Sequence, residues 1–330
     1  MSTAAEQPSF VVLGAGSIGL RHLKNLRALG VRRLACFEPD AARRESAAQD
    51  LPVPFHGDLE AIWEFRPDAV LVAAPTQFHL PLARAAVERG IHLFVEKPLA
   101  HASEGLAALT EEAERRELVT MVGCNLRFHP GPATVRRLLK AETIGKVLWA
   151  RLQTSSYLPR WRPTQDYRQS YSASPEWGGA ILDCIHEIDL ALWLFGSGEL
   201  LAAAVAPATT LGLEADGLAE LLVRHQSGVL SSVHLDFVQH DYRRGCQIAG
   251  TRGTVYWDFQ EKRVRTYDAA GQPGPHYDEP SDWEINQMYL DEMDHFLDCV
   301  RTGHPTMNPL RGGVEALDLA LAARDPKWRI

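Results

Sequence analysis

The sequence predicts two domains, a doubly wound α/β domain followed by an α+β domain whose sheet is mostly antiparallel. A glycine-rich turn joins the first apolar run to a helix-compatible segment, and short apolar runs then alternate with helical segments as far as residue 123. From Lys146 onward, longer strand-like segments separated by Gly-rich turns follow one another. Alternation indicates a parallel sheet, whereas successive hairpins indicate an antiparallel one. We therefore assign residues 1–123 to the first domain and 124–330 to the second, and leave open whether the C-terminal helix, 312–323, packs back on the first.

The opening element is an apolar run that ends in the sequence GAGSIG. Three of its residues fit G-x-G-x-x-G, in which the first glycine permits a tight turn, the second lets the backbone approach a pyrophosphate, and the third lets helix pack on strand. The helix that follows points its free N–H groups at the anion. An ordinary turn at a strand end is the alternative, because glycines are common there. The residues predicted to bind a dinucleotide in this turn are Gly14, Gly16, Ser17, Ile18 and Gly19.

A carboxylate follows the second apolar run. This run, residues 33–37, ends at Glu38, nineteen residues after Gly19. An acid at this place binds the ribose hydroxyls of NAD and repels the 2′-phosphate of NADP. We therefore expect NAD as the cofactor, although Glu38 could instead be a surface carboxylate, and Arg43 and Arg44 lie close enough in sequence to keep NADP open.

The other elements follow from periodicity and turn residues. The run AVLVAA is apolar on both faces, as a covered central strand must be, and it ends at Pro75-Thr76, where the chain leaves the sheet. The first domain is predicted to contain helices at 39–50, 59–65, 80–90 and 103–117 and strands at 53–55, 69–73, 92–95 and 119–122. The second is predicted to contain strands at 147–156, 200–211, 217–225, 228–238, 244–248, 253–259 and 263–268, with helices at 178–195 and 286–302 covering one face of their sheet.

The composition of the chain argues against nucleic acids and membranes as partners. The formal net charge of −8 argues against a broad basic surface for nucleic acid, and no apolar run approaches a membrane span. The first nine residues have neither the basic nor the apolar part of a signal peptide. The five cysteines are scattered and never form a C-x-x-C pair, which is typical of reduced thiols. We expect a cytoplasmic protein without nucleic-acid or membrane partners.

Lys97 is the first candidate for catalysis, because it directly follows the apolar strand LFV in the sequence Glu96-Lys97-Pro98. The carboxyl ends of parallel strands face the ligand crevice, so an ammonium group here would hold a substrate hydroxyl beside a nicotinamide. Pro98 constrains Lys97 to extended geometry and thereby fixes the direction of its side chain. The alternative is a surface lysine after a strand.

A second candidate lies in residues 178–196, GGAILDCIHEIDLALWLFG, where Asp183, His186 and Asp189 recur three apart in an apolar helix pattern. This spacing puts the three polar groups on one side of a helix. A histidine beside an acid is a tunable general base. Metal ligation is the rival, but no other set of His, Cys and Asp has supporting spacing, so we expect no metal.

The stretch 157–179 is aromatic, basic and rich in turn residues, and it leads directly into the helix of His186. We interpret it as a substrate loop in which the ring of Trp161 stacks on a face of the substrate and Arg168 binds a carboxylate or phosphate. A connecting loop held by its aromatic residues is the alternative.

Taken together, the chain resembles the Gfo/Idh/MocA family of NAD(P)-dependent sugar and polyol oxidoreductases over essentially its whole length. The resemblance implies a Rossmann domain, a second domain with an open-faced sheet, and hydride transfer at a sugar carbon. The matching pieces are GAGSIGLRH at 14–22, APTQFH at 74–79, VEKPLA at 95–100, GCNLRFHP at 123–130, IGKV at 144–147 and the stretch at 178–196.

The resemblance also implies roles for single residues. Lys97 matches the family's active-site lysine, His186 its catalytic histidine and Asp183 the aspartate before it. Many members have three residues between that aspartate and the histidine, whereas only Cys184 and Ile185 intervene here, so either Asp183 or Asp189 would assist His186. The residues implied to lie near the cofactor are Ala74, Pro75, Thr76, His79 and Glu96, and Arg127 is implied to border the sugar site.

The resulting hypothesis is an NAD-dependent dehydrogenase or reductase of a sugar, sugar acid, polyol or nucleotide-linked sugar, with a weak similarity to members found in cell-surface sugar pathways. A substrate bound by Lys97, Arg127, Trp161, Arg168, Asp183 and His186 would be oxidised or reduced at a secondary carbon. The alternatives are an epimerase or dehydratase that recycles NAD in place, and a regulator that senses NAD(P) without catalysis. An exposed sheet face predicts a homodimer or homotetramer.

Overall fold

The computed structural model describes residues 7–330. Residues 1–6, which belong to the segment expected to lack a signal peptide, lie outside the described residues. The chain forms two compact units, the first running through Asn125 and including Ile285–Val314, the second comprising Leu126–Glu284 and Glu315–Ile330. The division into functional domains at residue 123 stays a prediction. The compact units differ from that division because Ile285–Val314, which it assigns to the second domain, belongs to the first unit.

The first unit is built on a parallel sheet of six strands in the order β3-β2-β1-β4-β5-β6. From β1 the chain first adds strands on one side of the sheet, up to β3, and then returns to add β4, β5 and β6 on the other side. This change of side between β1 and β4 confirms the predicted doubly wound α/β fold. Strands β1 and β4 are buried along their whole length because helices cover both faces of the sheet. Its elements are β1 (Phe10–Leu13), α1 (Ser17–Ala28), β2 (Leu34–Phe37), α2 (Ala41–Asp50), β3 (Phe55–His56), α3 (Leu59–Glu64), β4 (Ala69–Val72), α4 (His79–Glu88), β5 (His92–Glu96), α5 (Leu106–Arg115) and β6 (Thr120–Gly123).

The second unit is built on a sheet of eight strands in the order β14-β13-β12-β11-β7-β10-β9-β8. Strands β7 and β10 run parallel and the other neighbours run antiparallel, which confirms the predicted mostly antiparallel sheet. Its elements are α6 (Pro130–Lys140), β7 (Val147–Tyr157), α7 (Ala180–Asp183), α8 (His186–Phe195), β8 (Gly198–Pro207), β9 (Asp216–His225), β10 (Leu230–Asp236), β11 (Val238–Gly250), β12 (Gly253–Asp258), β13 (Arg263–Asp268) and β14 (Pro273–Asp278).

Helices cover one face of this second sheet. Helix α8 packs on β7 and β10, and α6 packs on β12 and β13. Buried and half-buried residues alternate along β12 and along most of β9, as expected where one face is covered and the other is open. The side chains of the open face are therefore available to solvent or to a further protein surface.

The two helices that follow the second sheet are α9 (Ile285–Thr302) and α10 (Leu310–Ala323). Phe296 of α9 packs edge-on against Phe10 and Phe94, with ring centroids 6.1 and 5.6 Å apart. The expectation that this helix covers the second sheet is therefore wrong, because its apolar face packs in the first unit instead. The first residues of α10, through Val314, also belong to the first unit, and the rest belongs to the second.

The predicted single helix at 178–195 is two helices. Helix α7 ends at Asp183 and α8 begins at His186, with Cys184 and Ile185 between them. At the start of α7, Gly179 has a φ of +88°, which favours glycine, and the backbone N–H of Ile181 donates to the Asp216 carboxylate at 2.8 Å. In the described part of the chain, none of the helices combines the length and the apolar character that crossing a membrane requires.

Candidate active site

The glycine turn between β1 and α1 has the geometry that a dinucleotide requires. A Cβ at Gly14 would lie 2.8 Å from the Ala73 carbonyl oxygen, and one at Gly19 would lie 1.9 Å from the Gly14 carbonyl oxygen, so both positions need glycine for packing. A Cβ at Gly16, in contrast, would meet no heavy atom of the described residues within 4 Å. The backbone at Gly16 therefore borders open space beside the start of α1, where a pyrophosphate would approach the free N–H groups.

Glu38 directly follows β2 and is almost completely buried. Its Oε2 accepts the backbone N–H of Ala15 at 2.9 Å, and its Oε1 accepts that of Asp40 at 3.1 Å. The exposed guanidinium of Arg43 lies 3.4 Å from the carboxylate, while Arg44 donates to the carbonyl oxygen of Glu38 at 2.8 Å. The carboxylate is thus hydrogen-bonded to the glycine turn itself. This position agrees with the predicted role of Glu38 in binding the ribose hydroxyls of a dinucleotide. Its role in choosing NAD stays a prediction.

Lys97 follows the last residue of β5, at the carboxyl edge of the parallel sheet. Its backbone N–H donates to Glu96 Oε2 at 3.2 Å, and Glu96 Oε1 lies 2.6 Å from Nε2 of His22 on α1. The side chains of His22 and Glu96 are both buried. Glu96, predicted to bind cofactor, therefore directs its carboxylate at the protein's own groups. His22 is not among the residues predicted for the site, although a histidine on the helix after the glycine turn is a visible signal.

His79 connects the loops that follow β4 and β5. Its Nδ1 lies 2.9 Å from the Pro98 carbonyl oxygen and its Nε2 lies 2.8 Å from that of Ala74. Burial lowers the pKa of His79, against the opposing effect of these two hydrogen bonds. A neutral ring carries one N–H and donates to one carbonyl at a time. The predicted contact of His79 with the cofactor stays a prediction, as do those of Ala74, Pro75 and Thr76.

In the second unit, Asp183 and His186 lie on either side of the break between α7 and α8. The hydroxyl groups of Tyr171 and Ser172 both donate to the Asp183 carboxylate, the latter at 2.6 Å. His186 is buried at the first residue of α8. The loop 157–179 therefore reaches the predicted catalytic acid through two hydroxyl groups, a contact that spacing along a helix could not reveal.

Two buried ion pairs hold the first turn of α8. Arg127 donates to both oxygens of Asp189, at 2.9 and 2.6 Å, and Arg244 Nε lies 2.8 Å from Glu187 Oε1. Burial opposes the charge of Arg244, yet Glu187 keeps the pKa of this arginine above its ordinary value. Arg127 engages both carboxylate oxygens of Asp189, just as Tyr171 and Ser172 engage those of Asp183, so the choice of the acid that assists His186 stays a prediction.

The residues predicted to contact the substrate from the loop 157–179 have protein partners. The indole N–H of Trp161 donates to Ser156 Oγ at 3.0 Å, and its half-exposed ring lies edge-on to Phe237. The guanidinium of Arg168 lies over the ring of Tyr167, 5.0 Å from its centroid. These contacts hold the loop in place, and the predicted contacts of Trp161, Arg168 and Arg127 with a substrate stay predictions.

A doubly wound sheet with a glycine turn, a buried acid after β2 and a lysine after β5 defines a nucleotide-dependent enzyme. The family model described as "Oxidoreductase family, NAD-binding Rossmann fold" matches residues 9–124, and that described as "GFO/IDH/MocA C-terminal domain" matches residues 133–256. The chain belongs to the Gfo/Idh/MocA family, as its motifs indicated.

Named relatives agree with this family. The chain is 31% identical to an inositol 2-dehydrogenase of Corynebacterium glutamicum, over 73% of this chain and 71% of the relative. It is 27% identical to a scyllo-inositol 2-dehydrogenase (NAD(+)) of Bacillus subtilis, over 88% of this chain and 86% of the relative. The structure of a levoglucosan dehydrogenase in complex with NADH and levoglucosan has the same fold, with a TM-score of 0.88, 19% identity and 97% of each chain covered. The predicted class, an NAD-dependent oxidoreductase of sugar-type alcohols, is confirmed.

Proposed function

We propose that this enzyme oxidises or reduces a secondary carbon of an uncharged polyol or sugar, with Lys97, His186 and Asp183 as its catalytic groups. The position of Lys97 carries the proposal, since it lies at the carboxyl edge of the sheet that also presents the glycine turn. That two of the relatives above are named as inositol dehydrogenases supports a polyol as substrate.

Each catalytic group has a distinct task in the proposed reaction. In the oxidative direction, bound NAD accepts the hydride that leaves the substrate carbon with its bonding electron pair. His186 takes the proton of the substrate hydroxyl as the carbonyl forms, and returns it when the reaction runs backwards. The Lys97 ammonium donates a hydrogen bond to the same oxygen and stabilises its developing negative charge. Asp183 orients the imidazole or a neighbouring substrate hydroxyl.

The charges of the second unit support an uncharged substrate rather than a sugar acid or a nucleotide-linked sugar. The buried Arg127 and the half-buried Arg244, which pair with acids in the first turn of α8, are each matched by a carboxylate. Arg168 lies 3.9 Å from Asp166. An anionic substrate would need at least one of these guanidinium groups to exchange its protein carboxylate for the ligand, at a cost in binding energy. Because these relatives are named as dehydrogenases, net redox is also favoured over cofactor recycling or sensing.

Replacing Lys97 by Met tests the catalytic assignment. We expect K97M to bind NAD with little change but to lower kcat by about 10²- to 10⁴-fold on whichever substrate the wild type oxidises in a panel of inositols, neutral sugars, sugar acids and nucleotide sugars. The matched control is K24M, which removes an exposed lysine of α1 and should leave kcat unchanged. Undiminished turnover by K97M would contradict the assignment, and a preference for the anionic members of the panel would contradict the substrate class.

We also propose a homodimer or homotetramer that works in the cytoplasm. Trp149 and Leu230 are paired residues on the neighbouring strands β7 and β10, and each exposes about two fifths of its surface. Adjacent exposed apolar side chains on a sheet are typical of protein interfaces. The scattered cysteines support a reducing compartment. Sedimentation of the purified enzyme should give at least a dimer and L230R should weaken it, whereas a wild-type monomer at micromolar concentration would contradict the proposal.

A further inference from the structure

The backbone around Lys97 is held on both sides by buried histidines from other parts of the first unit. His22 belongs to α1, the helix that begins at the glycine turn, and His79 is the first residue of α4. Neither ring is exposed to solvent by more than 2%. Each histidine contacts a residue adjacent to Lys97, one through the side chain of Glu96 and the other through the carbonyl of Pro98.

On the amino side of Lys97, a two-step connection runs from α1 to the lysine backbone. His22 Nε2 lies 2.6 Å from Glu96 Oε1, a short distance for a hydrogen bond to a carboxylate, and Glu96 Oε2 accepts the Lys97 N–H at 3.2 Å. In the described part of the chain, Nδ1 of His22 has no hydrogen-bond partner. A ring that donates from Nε2 and leaves only a lone pair at Nδ1 satisfies this arrangement best, because an unpaired buried N–H costs more than an unpaired acceptor.

On the carboxyl side, the ring of His79 spans the Pro98 and Ala74 carbonyl oxygens, which lie in the loops after β5 and β4. The loop after β4 is the one predicted to line the nicotinamide. The same ring therefore links the backbone beside the lysine to the backbone beside the cofactor.

We propose that His22, with Glu96, and His79 are positioning residues that fix the backbone on both sides of Lys97 and so aim its ammonium at the reacting oxygen. This inference rests on the proposed catalytic role of Lys97. Because the Lys97 side chain is attached to this backbone, a shift of the backbone displaces the ammonium nitrogen. A misplacement of about 1 Å at a reacting group can cost about 100-fold in rate. Neither histidine needs to touch substrate for this effect.

Gln and Asn substitutions test the proposal at positions 22 and 79. We expect the Gln variant to have the higher kcat at position 22 and the Asn variant to have the higher kcat at position 79. The amide nitrogen of Gln lies near the place of an imidazole Nε2, and that of Asn near the place of Nδ1. H22Q should therefore keep the hydrogen bond to Glu96 and stay within about threefold of wild-type kcat, whereas H22N should lose about 10- to 100-fold. At position 79, H79N should keep the bond to Pro98 and should exceed H79Q in kcat.

The measurements separate positioning from folding and from cofactor binding. The value of kcat is taken per NAD-binding site, so a fraction of unfolded variant does not lower it. The NAD dissociation constant should stay within about twofold in H22Q and H22N, whereas H79N and H79Q are compared at saturating NAD because His79 is predicted to lie near the cofactor. His92 supplies the matched control, because it lies at the opposite end of β5 and its Nδ1 accepts the Val119 N–H at 3.0 Å. H92Q should leave kcat within about twofold of the wild type.

Two outcomes would overturn the inference. One is equal kcat for the Gln and Asn variants at both positions. The other is a loss in H92Q as large as the loss in H22N, which would indicate that any altered histidine of this unit lowers the rate. K97M distinguishes this inference from the proposed function: an active K97M overturns the role of the lysine, whereas an inactive K97M beside fully active H22N and H79Q overturns the positioning alone.

Discussion

The two proposed reacting groups, Lys97 in the first unit and His186 in the second, are held in different ways. Lys97 lies between Glu96, whose carboxylate contacts the ring of His22, and Pro98, whose carbonyl contacts the ring of His79. His186 begins a helix whose first turn carries two acids, each in a buried pair with an arginine from elsewhere in the unit. The contacts beside Lys97 involve backbone groups and one carboxylate, whereas the first turn of α8 is held by two ion pairs.

The difference predicts different responses to mutation. A hydrogen bond contributes about 1 kcal/mol between neutral groups and about 1.5–3 kcal/mol when one group is charged, as in the Glu96 carboxylate, so the loss of one beside Lys97 lowers stability moderately and displaces atoms. A buried ion pair contributes little net stability when intact, but removing one partner leaves the other charge buried and unpaired. We therefore expect changes beside Lys97 to appear first in kcat, and changes beside His186 to appear first in the free energy of unfolding.

The largest expected effect is on the Arg127–Asp189 pair. D189N should lower the free energy of unfolding of the second unit by about 3–5 kcal/mol, because the amide cannot balance the buried guanidinium. Urea unfolding followed by tryptophan fluorescence measures this, and Trp193 is a local probe since its ring centroid lies 5.8 Å from the Arg127 guanidinium.

The control for D189N is an exposed pair in the same unit. Glu199 and Arg224 face each other across β8 and β9 with more than half of each side chain exposed. E199Q should cost less than about 1 kcal/mol. Equal losses in D189N and E199Q would contradict the view that buried charge holds α8.

Most of the first unit could be predicted from the sequence, because the residues predicted to bind a ligand follow a rule of topology. The glycine turn, Glu38 and Lys97 directly follow β1, β2 and β5, and carboxyl ends of parallel strands meet at one edge. What could not be predicted was the partner of Glu96. His22 lies 74 residues away, and the rotation of α1 that brings its ring to the carboxylate depends on packing.

The second unit was harder to predict, since its decisive contacts join distant parts of the chain. The apolar pattern correctly predicted helix on both sides of position 184, but it did not predict the break there. This break separates Asp183, which accepts hydrogen bonds from Tyr171 and Ser172, from the helix that begins at His186. The spacing along the helix could not reveal the partner of Asp189, because the arginine that binds it lies 62 residues away. Periodicity reports the faces of a helix, not the partners that those faces meet.

A carboxylate-to-amide change at Glu38 sharpens the comparison, because this buried acid is held mainly by backbone N–H groups. E38Q leaves one oxygen for two donors, at Ala15 and Asp40, and should lower the free energy of unfolding by about 1–3 kcal/mol, less than D189N. The exposed Arg43 adds little to this difference.

Removing the negative charge of Glu38 should also raise the ratio of kcat/KM with NADP to that with NAD by about tenfold, since the 2′-phosphate meets less repulsion. E45Q, at an exposed glutamate of α2, should leave this ratio unchanged. An unchanged ratio in E38Q would mean that Glu38 only supports the glycine turn.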